Sequence, residues 1–193
     1  MTKKQFRIFL TLLFLIATVL AQALQKNIPT KSKAVQPTVP FISITPSLKQ
    51  KEYAHVVKVV DGDTIEIIAS GSSERRLVRY IGIDTPETHH PKLKVQCYGK
   101  EATQKNTELV LEKDIYMIKD ISETDRYGRL LRYVFIPNPE STQSAFFVNE
   151  YLVREGYAHA ATFPPDVAYQ ELFQQAQENA RIEKKGLWGT CHT

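Results

Sequence analysis

The stretch from His55 to Ile83 most constrains the fold, because it consists of short runs rich in Val, Ile and Tyr that are separated by turn residues. The separators are Asp61-Gly62 and residues 71–73 (GSS), both of which favour tight turns. Runs of β-branched and aromatic residues bounded in this way are typical of strands joined as hairpins. The stretch therefore predicts three consecutive strands of one sheet.

The rest of the chain alternates between helical and strand patterns. Residues 98–113 have the mixed charged and apolar pattern of an amphipathic helix, and two further strands are predicted over 114–119 and 130–136. Helices are predicted over 145–155 and 166–184, each followed by a glycine. Five short strands with a helix inserted after the third predict an α+β fold: a five-stranded OB-fold barrel with three helices.

The N-terminal 51 residues differ from this domain. Residues 1–23 have a cationic start, an apolar run and small residues before position 24, which is the layout of a cleaved signal peptide. The run is shorter than the ~20 residues of a spanning helix, and an uncleaved N-terminal anchor is the alternative. Residues 24–51 contain four prolines and no acid, and predict a flexible linker. We therefore expect residues 52–191 to form the domain, secreted or anchored outside the cytoplasmic membrane, with membrane contact only if the N-terminal segment is uncleaved.

The net charge of +4 does not indicate a basic domain. Residues 1–51 hold eight Lys and Arg and no acid, so the remaining 17 basic residues face 21 acidic ones, a net charge of −4. Binding to a phosphate backbone would then depend on individual cations and a metal ion, because the domain has no overall positive field. No protein partner is implied, and we expect a monomer.

Two cysteines, Cys97 and Cys191, are too few for a disulfide scaffold but even in number. In an exported chain, one interpretation is a disulfide that ties the C-terminus to the body. Two unpaired thiols are the alternative, which an oxidising compartment disfavours.

Two carboxylate blocks carry candidate chemistry. Residues 61–64 (DGDT) predict a hairpin turn, but a second carboxylate beyond the glycine is not needed for a turn. Residues 84–87 (DTPE) place two carboxylates three positions apart around a proline, and a capped turn is the alternative. Carboxylates and carbonyls at strand ends are the oxygen ligands that Ca²⁺ prefers, so Asp63 and Asp84 form the natural pair.

Two arginine-containing features complete the set. Arg79 has the same strand parity as Leu77, Ile81 and Ile83, which predicts an apolar face on which the cation needs an anionic partner. A structural ion pair is the alternative for this residue. Residues 125–129 (DRYGR) precede the fifth predicted strand, and a solvated turn with salt bridges would also explain them.

Taken in order, these blocks closely resemble the staphylococcal nuclease-like family. The resemblance runs from about Glu52 to Trp188 and includes residues 98–102 (YGKEA) and the closing 186–188 (GLW). It implies an exported, Ca²⁺-dependent nuclease that hydrolyses phosphodiester bonds of DNA and RNA through backbone contacts, with low sequence selectivity. A catalytically silent nucleic-acid-binding module on the same barrel is the alternative.

The resemblance also implies a role for each site residue. Asp63, Asp84 and the Thr85 carbonyl would bind Ca²⁺, and Glu87 would be the general base. Arg79 and Arg129 would stabilise the charge of the phosphorane transition state. Arg126, where the family often has lysine, and Tyr127 would hold a neighbouring phosphate.

One segment departs from the family. Where the staphylococcal enzyme presents two tyrosines to the nucleotide, residues 157–164 (YAHAATFP) offer only Tyr157, His159 and Phe163, at shifted positions. Base stacking is worth about 1–3 kcal/mol per base, so we expect it to be rearranged or weaker here.

Overall fold

The computed structural model describes residues 51–88, 95–139 and 141–191. The predicted signal segment and all of the predicted linker except Lys51 lie outside this range. The strands in the described part are β1 Lys51–Asp61, β2 Thr64–Ala69, β3 Arg75–Tyr80, β4 Ile83–Asp84, β5 Asp114–Ile118, β6 Leu130–Asn138, β7 Ser141–Phe147 and β8 His159–Ala160. The helices are α1 Gly99–Val110, α2 Val148–Arg154, α3 Gln170–Ile182 and the single-turn α4 Leu187–Thr190.

Five strands close into a barrel. The sheet order is β3-β2-β1-β5-β6-β7, and β3 also pairs in parallel with β6, so that β1, β2, β3, β5 and β6 form a closed ring. Register shifts in β1 between Val56 and Lys58 and between Val59 and Asp61 bend this long strand. The predicted α+β class, the five-stranded OB-fold barrel and its three helices are confirmed, with α4 as a short addition.

All three predicted helices are longer than the observed ones, and the helix predicted over 98–113 is observed as Gly99–Val110. Residues 145–147 belong to β7, where Phe147 pairs with Phe135 and Phe146 with Ile136 of β6, so the helix begins only at Val148. The helix predicted over 166–184 is shorter at both ends in the structure, where α3 covers Gln170–Ile182. The prediction over 145–155 was wrong at its start because pairing with β6 satisfies the backbone there.

The core lies inside the barrel and beneath the helices. Alternate residues of β2 and β3 point inward, including Ile65, Ile67 and Val78, which are fully buried. Helix α3 covers one side of the barrel with its buried stripe of Phe173, Ala176 and Ala180. None of the described helices is long and apolar enough to cross a membrane.

A buried asparagine ties helix α1 to the hairpin that carries the site. Asn106 is fully buried, and its Nδ2 donates to the Asp61 carbonyl at 3.0 Å. Its Oδ1 accepts a hydrogen bond from the Tyr80 hydroxyl at 2.9 Å. Because buried amides need such partners, these bonds fix the β1–β2 turn relative to both β3 and α1.

Candidate active site

Arg79 lies between the carboxylates of Asp63, in the β1–β2 turn, and Asp84, in β4. Its Nη1 is 2.8 Å from Asp63 Oδ2, and its Nη2 is 2.7 Å from Asp84 Oδ1. The same guanidinium donates from Nη1 to the Ile83 carbonyl at 3.0 Å. The structure thus brings together three of the predicted site residues in one cluster.

Arg79 reaches these partners from the outer side of the barrel. Val78 and Tyr80 are the buried residues of β3, whereas Leu77 is 43% exposed. The prediction that Leu77 and Arg79 share an apolar face was therefore wrong. It continued the alternation of β3 through Ile81 and Ile83, which lie beyond the end of that strand. The expected need for an anionic partner is met by the two carboxylates.

The β1–β2 hairpin holds Asp63 in place. Asp63 Oδ2 accepts hydrogen bonds from the Thr85 backbone N at 2.8 Å and from Thr85 Oγ1 at 3.0 Å. Gly62 permits this approach, since a Cβ at Gly62 would lie only 2.7–2.8 Å from the Thr85 side chain. Tyr80 N also donates to the Asp63 carbonyl at 2.9 Å. The glycine of the DGDT block is therefore required by its close contact with Thr85.

Burial dominates the electrostatics of both carboxyl groups. Burial raises the pKa of Asp63 to about 6, although the neighbouring Arg79 acts in the opposite direction. Burial likewise raises the pKa of Asp84, again opposed by Arg79. The negative charges of Asp63 and Asp84 thus lie in a partly desolvated environment, where an additional cation would stabilise them.

The donor set suits a hard cation. Asp63 and Asp84 offer carboxylate oxygens, and Thr85, which follows Asp84, has its backbone N–H hydrogen-bonded to Asp63. The described residues contain no group of three or more His, Cys, Asp and Glu side chains suited to a metal ion. A cation here would take its remaining ligands from carbonyls and water, which fits the all-oxygen preference of Ca²⁺ and does not fit Zn²⁺.

Glu87 is three residues after Asp84 in the chain. Its side chain is exposed, while both of its backbone polar groups are hydrogen-bonded to Gln96. Gly99, the first residue of α1, lies against this backbone, since a Cβ at Gly99 would be 2.8 Å from the Pro86 carbonyl oxygen. Sequence reasoning did not identify Gln96, because nothing in a loop glutamine indicates a partner nine positions away.

The loop before β6 supplies the second arginine. Asp125 Oδ2 accepts from Arg129 Nε at 2.7 Å, and Asp125 Oδ1 accepts from the backbone N of Tyr127 and of Arg129. Burial would raise the pKa of Asp125, but these hydrogen bonds lower it overall. Asp125 therefore orients both Tyr127 and Arg129.

A short hydrogen-bonded chain joins the two arginines. Arg129 Nη1 donates to Thr64 Oγ1 at 3.5 Å, and Thr64 Oγ1 in turn donates to Asp63 Oδ1 at 3.2 Å. Asp63 contacts Arg79 on its other oxygen. Arg79 thus contacts Asp63 directly, and Arg129 is connected to the same carboxylate through the Thr64 hydroxyl.

Arg126 and Tyr127 lie at the outer rim of this arrangement. Arg126 Nη2 donates to the Tyr127 hydroxyl at 2.6 Å, and its guanidinium lies 4.7 Å from the centroid of the Tyr127 ring. The Arg129 guanidinium lies 5.5 Å from the same ring, which is 68% exposed. The three side chains form one exposed cationic edge.

The rings of the divergent 157–164 segment are separated from one another. Tyr157 packs on Tyr98 at 5.6 Å between centroids, and His159 meets Trp188 edge-on at 4.9 Å. Phe163 is 62% exposed. Two of the three rings are thus engaged within the domain, and their effect on substrate stacking stays a prediction.

The β4–β8 pairing brings this segment to the cluster. Asp84 is opposite His159 in register, and Ile83 is opposite Ala160. Cys97 and Cys191 are joined in a disulfide that links the start of α1 to the end of α4.

Comparison with known proteins identifies several nucleases as relatives. The family model of the staphylococcal nuclease homologues matches residues 77–190. The chain is 38% identical over 149 residues to a thermonuclease of Staphylococcus hyicus, covering 77% of this chain and 83% of that protein. A thermonuclease of Staphylococcus intermedius is 36% identical over 149 residues, with the same coverage of both chains.

A third relative comes from another genus. Endonuclease YncB of Bacillus subtilis is 36% identical over 146 residues, covering 74% of this chain and 65% of that protein. The family match includes Arg79, Asp84, Glu87 and Arg129 and begins after Asp63.

Proposed function

The chain belongs to the staphylococcal nuclease homologue family, and from this premise we propose that it is an exported, Ca²⁺-dependent nuclease acting at the cluster around Arg79. As a nuclease it is a phosphodiesterase whose substrate is nucleic acid. The observation that carries the assignment of the site is the Arg79 guanidinium held between Asp63 and Asp84, with Arg129 connected to Asp63 through the Thr64 hydroxyl.

The charges of the site match the demands of phosphodiester hydrolysis. A phosphodiester is an anion that repels a nucleophile, and negative charge grows on its oxygens in the transition state. Arg79 and Arg129 would stabilise that charge, because an arginine stays protonated and can donate to two oxygens at once. The contacts of Arg79 with described residues use Nη1 and Nη2, and those of Arg129 use Nε and Nη1. Each guanidinium has five N–H donors, so each retains donors for a phosphate.

Asp63, Asp84 and the Thr85 carbonyl would hold the metal ion. When bound, Ca²⁺ supplies positive charge that polarises a phosphoryl oxygen. The protein's part is to keep two carboxylates close together on a rigid support, which the Thr85 hydrogen bonds and the β4–β8 pairing provide.

Glu87 would act as the general base that takes a proton from the attacking water. Its side chain is exposed at the end of the DTPE block, three residues after Asp84, while its backbone is fixed by Gln96. A positioned base contributes about 10²–10⁴-fold in rate.

Substrate binding would rely on the nucleic-acid backbone. Arg126 and Tyr127 form the exposed edge beside Arg129, where a neighbouring phosphate can be held. Contacts to phosphate carry no sequence information, so we expect DNA and RNA to be cut with little selectivity. A silent binding module would not need the base and both arginines, all of which this chain retains.

Export is supported by two features. The N-terminal residues have a signal-peptide layout, and a disulfide joins Cys97 to Cys191, as is usual in oxidising compartments. We place the enzyme outside the cytoplasm, secreted as a monomer or anchored by its N-terminus.

The test uses purified residues 24–193 and single-stranded DNA. We expect hydrolysis with added Ca²⁺ and none after chelation. Arg129→Ala should lower kcat by several orders of magnitude, whereas Arg154→Ala, which removes an exposed ion pair with Glu150, should leave it unchanged. Hydrolysis that survives chelation, or equal turnover in both variants, would refute the proposal.

A further inference from the structure

Gln96 holds the backbone of Glu87 through two hydrogen bonds, one to the Glu87 carbonyl and one from the Glu87 N–H. Glu87 N donates to Gln96 Oε1 at 2.8 Å, and Gln96 N donates to the Glu87 carbonyl at 2.9 Å. One bond uses the glutamine side chain and the other its main chain. Together they fix the peptide planes on either side of the Glu87 Cα, and hence the direction in which its side chain leaves the backbone.

The side chains on either side of Gln96 are exposed, and besides its two bonds with Glu87 the Gln96 backbone accepts one hydrogen bond from Gly99 N at 3.1 Å. Val95 is 50% exposed, and Gln96 and Cys97 are also exposed. Exposed segments with few buried apolar contacts open locally at low cost. Cys97, next to Gln96, is bonded to Cys191, which lies 94 residues later in the chain.

The other end of the disulfide lies on a well-packed support. Cys191 N donates to the Leu187 carbonyl at 2.9 Å, and Leu187 is buried. Leu187 N donates to the Gly156 carbonyl at 2.9 Å, and a Cβ at Gly156 would lie 2.3 Å from the Lys185 carbonyl oxygen. The disulfide thus attaches an exposed segment to a tightly packed one.

We propose that Gln96 is a positioning residue for Glu87 and that the Cys97–Cys191 disulfide holds Gln96 in place, so that turnover depends on the oxidation state of the disulfide. The inference rests on the proposed role of Glu87 as general base. A dithiol reductant donates two electrons and two protons, the S–S bond breaks into two thiols, and the reductant becomes a disulfide. The enzyme is then poorly active in a reducing compartment and gains full turnover where the disulfide forms.

Loss of the Gln96 contacts should lower turnover and leave substrate binding unchanged. Arg79 and Arg129 are held by Asp63, Asp84 and Asp125, none of which contacts Gln96 through a described hydrogen bond or ion pair. Misplacing a reacting group by about 1 Å costs on the order of 10²-fold in rate. Loss of the Gln96 contacts should therefore lower kcat with little change in KM.

The first test is a pair of substitutions at Gln96 in the full chain. Gln96→Met keeps the length of the side chain and removes the acceptor, whereas Gln96→Glu keeps an acceptor for Glu87 N. We expect kcat to fall about 10-fold or more in Gln96→Met, with KM within about 3-fold, and to be largely restored in Gln96→Glu. Gln104→Met, on the exposed side of α1, is the matched control and should behave as wild type.

The second test compares the oxidised chain, the chain reduced with dithiothreitol, and Cys97→Ser/Cys191→Ser. Rates are measured well below the unfolding midpoint of the least stable form, and binding of an uncleavable oligonucleotide is measured in parallel. We expect the reduced and Ser forms to share one lowered kcat and to bind the oligonucleotide like the oxidised chain. Dithiothreitol should leave the Ser variant unchanged.

The outcomes separate this inference from the proposed function. An oxidised wild-type chain that fails to hydrolyse DNA with Ca²⁺ would refute both. An active wild type with unchanged kcat in Gln96→Met or after reduction would refute the inference alone. If the lost rate is fully explained by the fraction of unfolded protein, the inference is also refuted, because the disulfide would then act only on stability.

Discussion

The ion pair between Arg79 and Asp63 should control stability as well as catalysis. The Arg79 and Asp63 side chains are only 14% and 6% exposed, and their charged atoms are 2.8 Å apart. Removing one partner leaves the other charge buried, which costs about 3–5 kcal/mol for a buried pair. Arg79→Met should fall at the lower end of that range, because Thr85 still donates two hydrogen bonds to Asp63.

The reciprocal change should cost less. In Asp63→Asn the side-chain oxygen still accepts from Thr85, and Arg79 keeps its contact with the half-exposed Asp84, so we expect a loss of about 1–2 kcal/mol. In the double variant neither charge is left alone. Its loss of unfolding free energy should therefore be smaller than the sum of the two single losses by about 2 kcal/mol.

The assay is urea unfolding at neutral pH in the presence of a chelator, so that no cation replaces the missing charge. Arg75→Met is the control on the same strand, because Arg75 is an exposed residue paired at 3.5 Å with Glu66, and it should change stability by no more than about 0.5 kcal/mol. An Arg79→Met protein as stable as this control, or additive losses in the cycle, would show that the buried pair is not coupled as the distances indicate.

Two further substitutions test the supports of the site. Gly62→Ala should displace Thr85 from Asp63 and lower both the unfolding free energy, by about 2–4 kcal/mol, and kcat; a urea midpoint equal to wild type would contradict the close contact. Asp125→Asn should turn an N–H group toward Arg129 Nε and lower kcat by about 10²-fold, measured on single-stranded DNA with Ca²⁺. An unchanged rate would mean that Arg129 does not depend on this anchor.

The barrel could be predicted from local patterns. The runs over 55–83 and the two later strands alternate with turn residues, and β3 buries every second side chain at its end, as Val78 and Tyr80 show. The later strands β5 and β6 bury consecutive residues. Asp63, Arg79 and Asp84 could also be picked out, because charged residues at strand ends need partners. Their meeting in one cluster follows from the register of β2 on β3, in which Thr64 is opposite Arg79.

Contacts between distant segments could not be predicted in the same way. Residues 145–147 carry no local signal that separates a strand from the first turn of a helix, and pairing with β6 decides between them. Gln96 acquires its importance only through the fold, which places its amide against Glu87. The disulfide between Cys97 and Cys191 was one of two open alternatives until the structure showed their positions.

The most direct test of the assigned site is the single-turnover rate of DNA cleavage as a function of Ca²⁺ concentration, in wild type and in Glu87→Gln. We expect the rate at saturating Ca²⁺ to fall about 10²–10⁴-fold in the variant, because the base is lost. The Ca²⁺ concentration for half-maximal rate should stay near the wild-type value, because Asp63, Asp84 and Thr85 are intact. A Glu87→Gln enzyme that cleaves at the wild-type rate, or a wild type that needs no Ca²⁺, would contradict this assignment.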